Sequence, residues 1–178
     1  MRMRVVSAVA LGAAFLIAGQ GGAQQPPPPA QNPLDIVPPT MPFNTPYGAP
    51  ITLERAQSAI TAAMGEANMR GWPMNIAVVD SGANLVAFVR MDGAQLASIS
   101  IAEHKARAAV KFRRPTKAFE DAVQKSDFKY ILSLDDVIAS RGGIPLVENG
   151  KIVGGIGCSG GTGSQDEVVC TTGASMIK

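Results

Sequence analysis

The stretch from Gly142 to Gly161 constrains this chain most. Two apolar runs, Ile144–Val147 and Ile152–Gly157, flank Glu148-Asn149-Gly150-Lys151. Asn-Gly at the centre of such a pair predicts a tight β-hairpin. The second run passes through Gly154-Gly155-Ile156-Gly157 and ends in Cys158-Ser159-Gly160-Gly161. Ser164-Gln165-Asp166-Glu167 then reads as a capping box that opens a helix, with Ser164 at the N-cap and Glu167 at N3. A strand, a glycine loop and a helix start together form a place where backbone N–H groups can meet a ligand.

The loop is not a phosphate loop. It lacks the Gly-Lys-Ser/Thr ending, and Asp166 and Glu167 would repel a phosphate. The glycines are expected to allow tight turns and close helix–sheet approach. A ligand carboxylate or a cofactor edge is the alternative occupant of Gly160 and Gly161.

The remaining domain is expected to begin near residue 51. Thr52 caps a helix whose Leu53, Ala56, Ile60, Ala63, Met64 and Ala67 share one face, and Gly71 ends it. The nearly continuous apolar run Ile76-Ala77-Val78-Val79 predicts a strand covered on both faces. Ser81-Gly82-Ala83-Asn84 turns the chain into a second strand, Leu85 to Arg90. A long helix follows over about Gln95 to Phe112. At about 100° per residue, Ile99, Ala106, Ala109 and Val110 fall with Ala102, and Ser100, His104, Arg107 and Lys111 fall opposite. Thr116 opens a short helix, and Phe128 to Ser140 is ambiguous between helix, turn and edge strand. This order predicts an α/β single-domain sandwich, with helices on a central antiparallel sheet of about five strands.

The start of the chain is of a different kind. Arg2 and Arg4, the apolar Val5 to Ala18, and Gly21-Gly22-Ala23 predict a signal peptide over residues 1–23. The apolar part is short for a transmembrane span. Residues 24–50, with Pro26 to Pro29 and further prolines to Pro50, read as a linker or arm in extended conformation. Either it is a spacer, or it docks on a neighbouring subunit through Leu34, Ile36, Val37 and Phe43. Leaving out residues 1–23, 14 basic side chains face 14 acidic ones, which gives no electrostatic case for nucleic acid.

Few side chains can carry chemistry. His104 is the only histidine, so any imidazole ligand or base must be His104. It is either a solvated surface residue or a metal ligand at an enclosed surface. Cys158 and Cys170 are the only thiols, too few for a structural zinc site of about four ligands. After export they are either a disulfide tying the last helix to the sheet or two buried thiols. Arg90 and Asp92 follow the second strand. They either present charge at a cleft or belong to a simple Asp-Gly turn.

Three segments together resemble the GlcG/HbpS family of small haem-binding proteins. They are Ile76 to Gly93, then Ile101-Ala102-Glu103-His104-Lys105-Ala106 running on to Thr116, and Gly143-Ile144-Pro145 with the strand to Gly157 and Gln165-Asp166-Glu167. The resemblance covers nearly all of residues 51–178. It implies a profilin-like or roadblock-like sandwich, a homo-oligomer, and haem as cofactor, with a corrinoid as the lesser alternative. It further implies redox sensing beside a membrane sensor, or slow haem degradation, in a periplasmic or secreted setting. The related C-terminal domain of a corrinoid adenosyltransferase uses a histidine for haem iron. The first helix here offers Ala56, Gln57 and Ser58 instead, so no axial ligand carries over.

Under that reading His104 is the candidate iron ligand. Lys105, Arg107 and Arg113 are the candidate partners of the haem propionates, and Arg90, Asp92, Gly160 and Gly161 form a ligand loop. The competing reading is a binding module or enzyme for a small organic acid held by Arg90, Lys105 and the glycine loop.

Overall fold

The computed structural model describes residues 32–178. The expected leader and the first part of the Pro-rich segment lie outside the described residues. The chain divides into a unit ending at Pro39 and a second unit, Thr40–Lys178. Of the first, a single 3-10 turn at Pro33–Asp35 is described. All that follows concerns the second.

Four antiparallel strands form its sheet: β1 (Asn75–Asp80), β2 (Leu85–Arg90), β3 (Gly143–Glu148) and β4 (Lys151–Ser159), in the order β2-β1-β4-β3. The helices are α1 (Leu53–Arg70), α2 (Ser98–Lys111), α3 (Lys117–Ser126) and α4 (Gly163–Ala174). The sheet has four strands rather than about five, because Lys129–Ser133 closes into a 3-10 turn and the rest of the ambiguous segment pairs with no strand.

The two central strands explain the layering. Ile76 and Val78 of β1 face a core shared with α1 and α4 through Ala59, Ala63, Ile156 and Val169. Ala77 and Val79 point the other way, into a second core with Ala102, Ala106 and Val110 of α2. This alternation in a strand buried on both faces gives three layers, with α1 and α4 on one side and α2 on the other. The β3–β4 turn has Asn149 and Gly150 both at positive φ, 49° and 74°, as the Asn-Gly sequence requires.

The glycines of β4 set how closely α2 can approach. A Cβ on Gly157 would stand 2.1 Å from the Ala102 carbonyl oxygen, and one on Gly155 would stand 2.7 Å from that of Ala106. The helix backbone therefore rests directly on the strand backbone, with alanines as its contact residues. The sequence expectation of close helix–sheet approach is met at these positions. The cap of α4 differs from the expectation. Thr162 is the N-cap and Gln165 is N3, completing a capping box two residues earlier than Ser164 and Glu167. Both pairs have the required spacing, and the helix starts at the earlier one.

A buried ion pair joins α2 to α4 across the end of the sheet. Lys105 Nζ lies 2.7 Å from Asp166 Oδ2, with the side chains 1% and 3% exposed. Lys105 also donates to the Cys158 carbonyl at 3.2 Å. Asp166 Oδ1 accepts from the Gly160 and Gly161 amides at 3.1 and 3.0 Å. Burial is the largest influence on Asp166 and pushes its carboxyl above the usual range, and the Lys105 ammonium opposes it. The four donor contacts supply the hydrogen bonds that each buried charge lost with its water. Gly142, at φ 108°, passes beside the pair where a Cβ would meet the Asp166 Cβ at 2.8 Å.

Segment 46–51 is part of the domain rather than linker. Beyond the end of β1, β4 has a free edge, and this segment takes it. Ile152 donates to Pro46 O, while Gly48 and Ile51 donate to Ile152 O and Val153 O, each at 2.8 Å. The Tyr47 hydroxyl donates to the Val110 carbonyl at 3.0 Å.

Three substitutions test this packing. Gly157→Ala must displace α2, and chemical denaturation should show a loss of about 3 kcal/mol. Gly65→Ala, on the exposed face of α1 with no atom near its added methyl, should gain up to about 1 kcal/mol. Lys105→Met leaves Asp166 buried without its cation and should cost about 3–5 kcal/mol. Adding Asp166→Asn to it should recover part of that loss, whereas equal costs for the single and double variants would contradict a coupled pair.

Candidate ligand-binding site

The basic residues expected to gather around His104 are dispersed by the fold. Lys105 is not available to a ligand, because Asp166 engages it inside the protein. Arg107 pairs with Glu103 one helical turn away, at 2.9 Å. Arg113 turns off the end of α2 at φ 54° and lies over the Tyr47 ring, 5.9 Å from its centroid. His104 itself is half-buried on the outer face of α2. Asp136 reaches that face and pairs with Lys111 at 2.6 Å. The hydrogen bond from Lys111 holds the Asp136 carboxyl below its usual range, and His104 and Arg107 add smaller effects of the same sign.

The glycine loop is likewise engaged within the protein. The amides of Gly160 and Gly161 point at Asp166 rather than outward. A Cβ on Gly160 would stand 2.3 Å from the Pro73 carbonyl oxygen, so this glycine serves a close backbone crossing.

Arg90 and Asp92 are placed differently. They do not pair with each other, and both line a cleft of about 430 Å³ between the end of α1 and the end of β2. The local sequence builds its walls. Gly71, at φ 66°, ends α1 with its amide donating to the Ala67 and Asn68 carbonyls, which turns Trp72 and Pro73 across the cleft. The Arg70 guanidinium lies 5.0 Å from the centre of the Trp72 ring and fixes one edge of that wall. Met64 and Ala67 project from α1, and Val89 and Met91 from the β2 side. The cleft thus offers an indole face, two thioethers and the Arg90 guanidinium, which has no ionic partner among the described residues. Arg90 and Asp92 were named from the sequence; Trp72, Met64 and Met91 were not, because apolar residues in α1, its following turn and the end of β2 look like ordinary core.

Cys158 and Cys170 bring their sulfurs to bonding distance, with Cα atoms 5.6 Å apart, inside the range a disulfide spans. The pair ties the last strand to α4 behind the Lys105–Asp166 contact. Among the described residues no cluster of three or more His, Cys, Asp or Glu side chains could hold a metal ion by itself. No helix among them is long and apolar enough to cross a membrane.

Known proteins share both sequence and fold with this chain. A 15.0 kDa protein encoded between dhaT and dhaS in Citrobacter freundii is 36% identical over 127 residues, covering 70% of this chain and 89% of that protein. The crystal structure of HbpS superposes with a TM-score of 0.66 at 30% identity, covering 78% of this chain and 98% of the other. The crystal structure of a PduOC:haem complex gives 0.65 at 27% identity, covering 73% and 96%. The family model described as "Haem degrading protein HbpS-like" matches residues 51–175, the length of the sandwich from the start of α1 to the end of α4. By that match and these relatives, the chain belongs to the HbpS-like family.

Proposed function

We propose that this protein binds haem, and that the cleft beside Trp72 is where it binds. The observation that carries the reading is the chemistry of the cleft. A haem needs an apolar face for its ring, a cation for its propionates and a donor for its iron. Trp72, Pro73 and Val89 supply the face, Arg90 the cation, and Met64 or Met91 a thioether. The cleft is open on one side, so a ring larger than its volume can project from it. A solved relative is a haem complex, which supports the same ligand class. When bound, haem would supply redox and dioxygen chemistry. The residues of this chain would orient it, exclude water from one face and neutralise its carboxylates.

His104 lies outside this cleft, on α2. The expectation that it ligates iron therefore gives way to the thioethers as first choice. A redox role suits a chain whose only two cysteines can pair next to the sheet, and it sits with the proposed export of the protein after loss of residues 1–23. N-terminal sequencing of exported material should begin near Gln24. Intact Met1 in the cytoplasmic fraction would contradict export.

Haem titration followed by absorbance tests the ligand. The parent protein should develop a Soret band that saturates. Arg90→Ala should weaken binding about tenfold, the magnitude of a lost charge-assisted hydrogen bond. Met64→Ala and Met91→Ala should identify the iron donor by a shifted band, with His104→Ala leaving it unchanged. Absence of any spectral change in the parent protein would refute haem binding. A shift confined to His104→Ala would move the site to α2.

A further inference from the structure

A second pocket, of about 380 Å³, lies where the end of α2 meets α3 and the 3-10 turn at Lys129–Ser133. Its walls are almost entirely aromatic and aliphatic, with Phe112, Phe119, Phe128 and Ile131 at its sides. One cation stands in this apolar setting. Arg114 is half-buried, with its guanidinium carbon 3.6 Å from the centroid of the Phe43 ring and 5.4 Å from that of Phe119. Its Nε donates to the Phe112 carbonyl at 3.0 Å. Its two terminal nitrogens meet no acceptor among the described residues, and no carboxylate there pairs with it.

Arg55, Arg70, Arg107 and Arg141 each have a carboxylate partner, whereas Arg114, like its neighbour Arg113 over Tyr47, meets an aromatic ring instead. A guanidinium taken from water without an anion loses hydration that stacking on rings restores only in part. Burial accordingly lowers the affinity of Arg114 for its proton. Phe43 completes the enclosure from the N-terminal segment. It does so at φ 57°, a left-handed conformation that costs a bulky residue energy and persists only where its surroundings hold it. The volume far exceeds one water, and apolar walls hold water poorly.

We propose that this pocket is a binding site for a small planar aromatic monocarboxylate. The carboxylate takes the free edge of the Arg114 fork, and the ring lies among Phe112, Phe119 and Phe128 under the Phe43 lid. The pocket shares no lining residue with the Trp72 cleft. The inference therefore stands apart from haem binding.

Isothermal titration of the purified protein with 1-naphthoate, and with the neutral 1-naphthamide, provides the test. Naphthoate should bind saturably and the amide at least about tenfold more weakly, since it cannot form the charge-assisted fork contact. Arg114→Gln should lose about tenfold or more, and Phe43→Ala should weaken binding with faster release. Arg90→Gln should leave naphthoate binding unchanged, and haem-loaded protein should still take it up. Should Arg114→Gln fail to fold, Arg114→Lys and the acid–amide comparison on the parent protein decide the matter. No binding by the parent, equal affinity for acid and amide, or loss through Arg90→Gln instead of Arg114→Gln would overturn the proposal.

Discussion

The seating of α2 on β4 is the contact on which the rest of the structure depends. Side chains are absent from one face of β4 at Gly155 and Gly157, so helix backbone lies on strand backbone. That depth of approach carries Lys105 below the surface to the end of the sheet, where Asp166 comes up from α4 on the opposite side. Neither charge could be buried alone at tolerable cost. Together, with the Cys158 carbonyl and the amides of Gly160 and Gly161, they fix the loop between β4 and α4. The loop in turn crosses close to Pro73, the residue that leads out of the Trp72 wall. The cleft thus inherits its shape from a contact made inside the domain.

The same seating accounts for the second pocket. α2 ends at Lys111, and Arg113 at positive φ turns the chain sharply toward α3. Arg113 goes to Tyr47 and Arg114 to Phe43, so two neighbouring cations hold down successive aromatic residues of the N-terminal segment. The edge of β4 left open beyond β1 receives residues 46–51 and aligns that segment for both contacts.

Much of the fold was legible because it follows from local rules. The continuous apolar run of β1 marks a strand covered on both faces, Asn149-Gly150 marks the hairpin, and the glycines of β4 mark close packing. The errors have equally physical origins. Two overlapping Thr/Ser-x-x-Gln/Glu patterns allow two starts for α4, and spacing alone does not choose between Thr162 and Ser164. Lys105 looks like a surface cation because its partner is distant in sequence and approaches only through the finished sheet. The ambiguous Phe128 to Ser140 has strand-like residues, but Lys129–Ser133 closes into a 3-10 turn and the segment pairs with neither edge strand, β2 or β3. Of the candidate site, Arg90 and Asp92 were readable from their place after a strand. Trp72, Met64 and Met91 were not, because an apolar side chain in a helix, or just past a helix or strand end, carries no mark that separates a ligand wall from a core. The Arg114 pocket draws on four separate segments and leaves no local signature.

In the proposed binding mode a haem-sized ring lies between Met64, Trp72 and Met91. Carbon-13 labelling of the methionine methyl groups, with NMR spectra recorded before and after adding diamagnetic zinc protoporphyrin, tests it most directly. Ring currents act over a few ångströms, so the account predicts that the Met64 and Met91 methyls shift most, while Met41 and Met176 stay in place. Unmoved Met64 and Met91 signals alongside a bound porphyrin would contradict it.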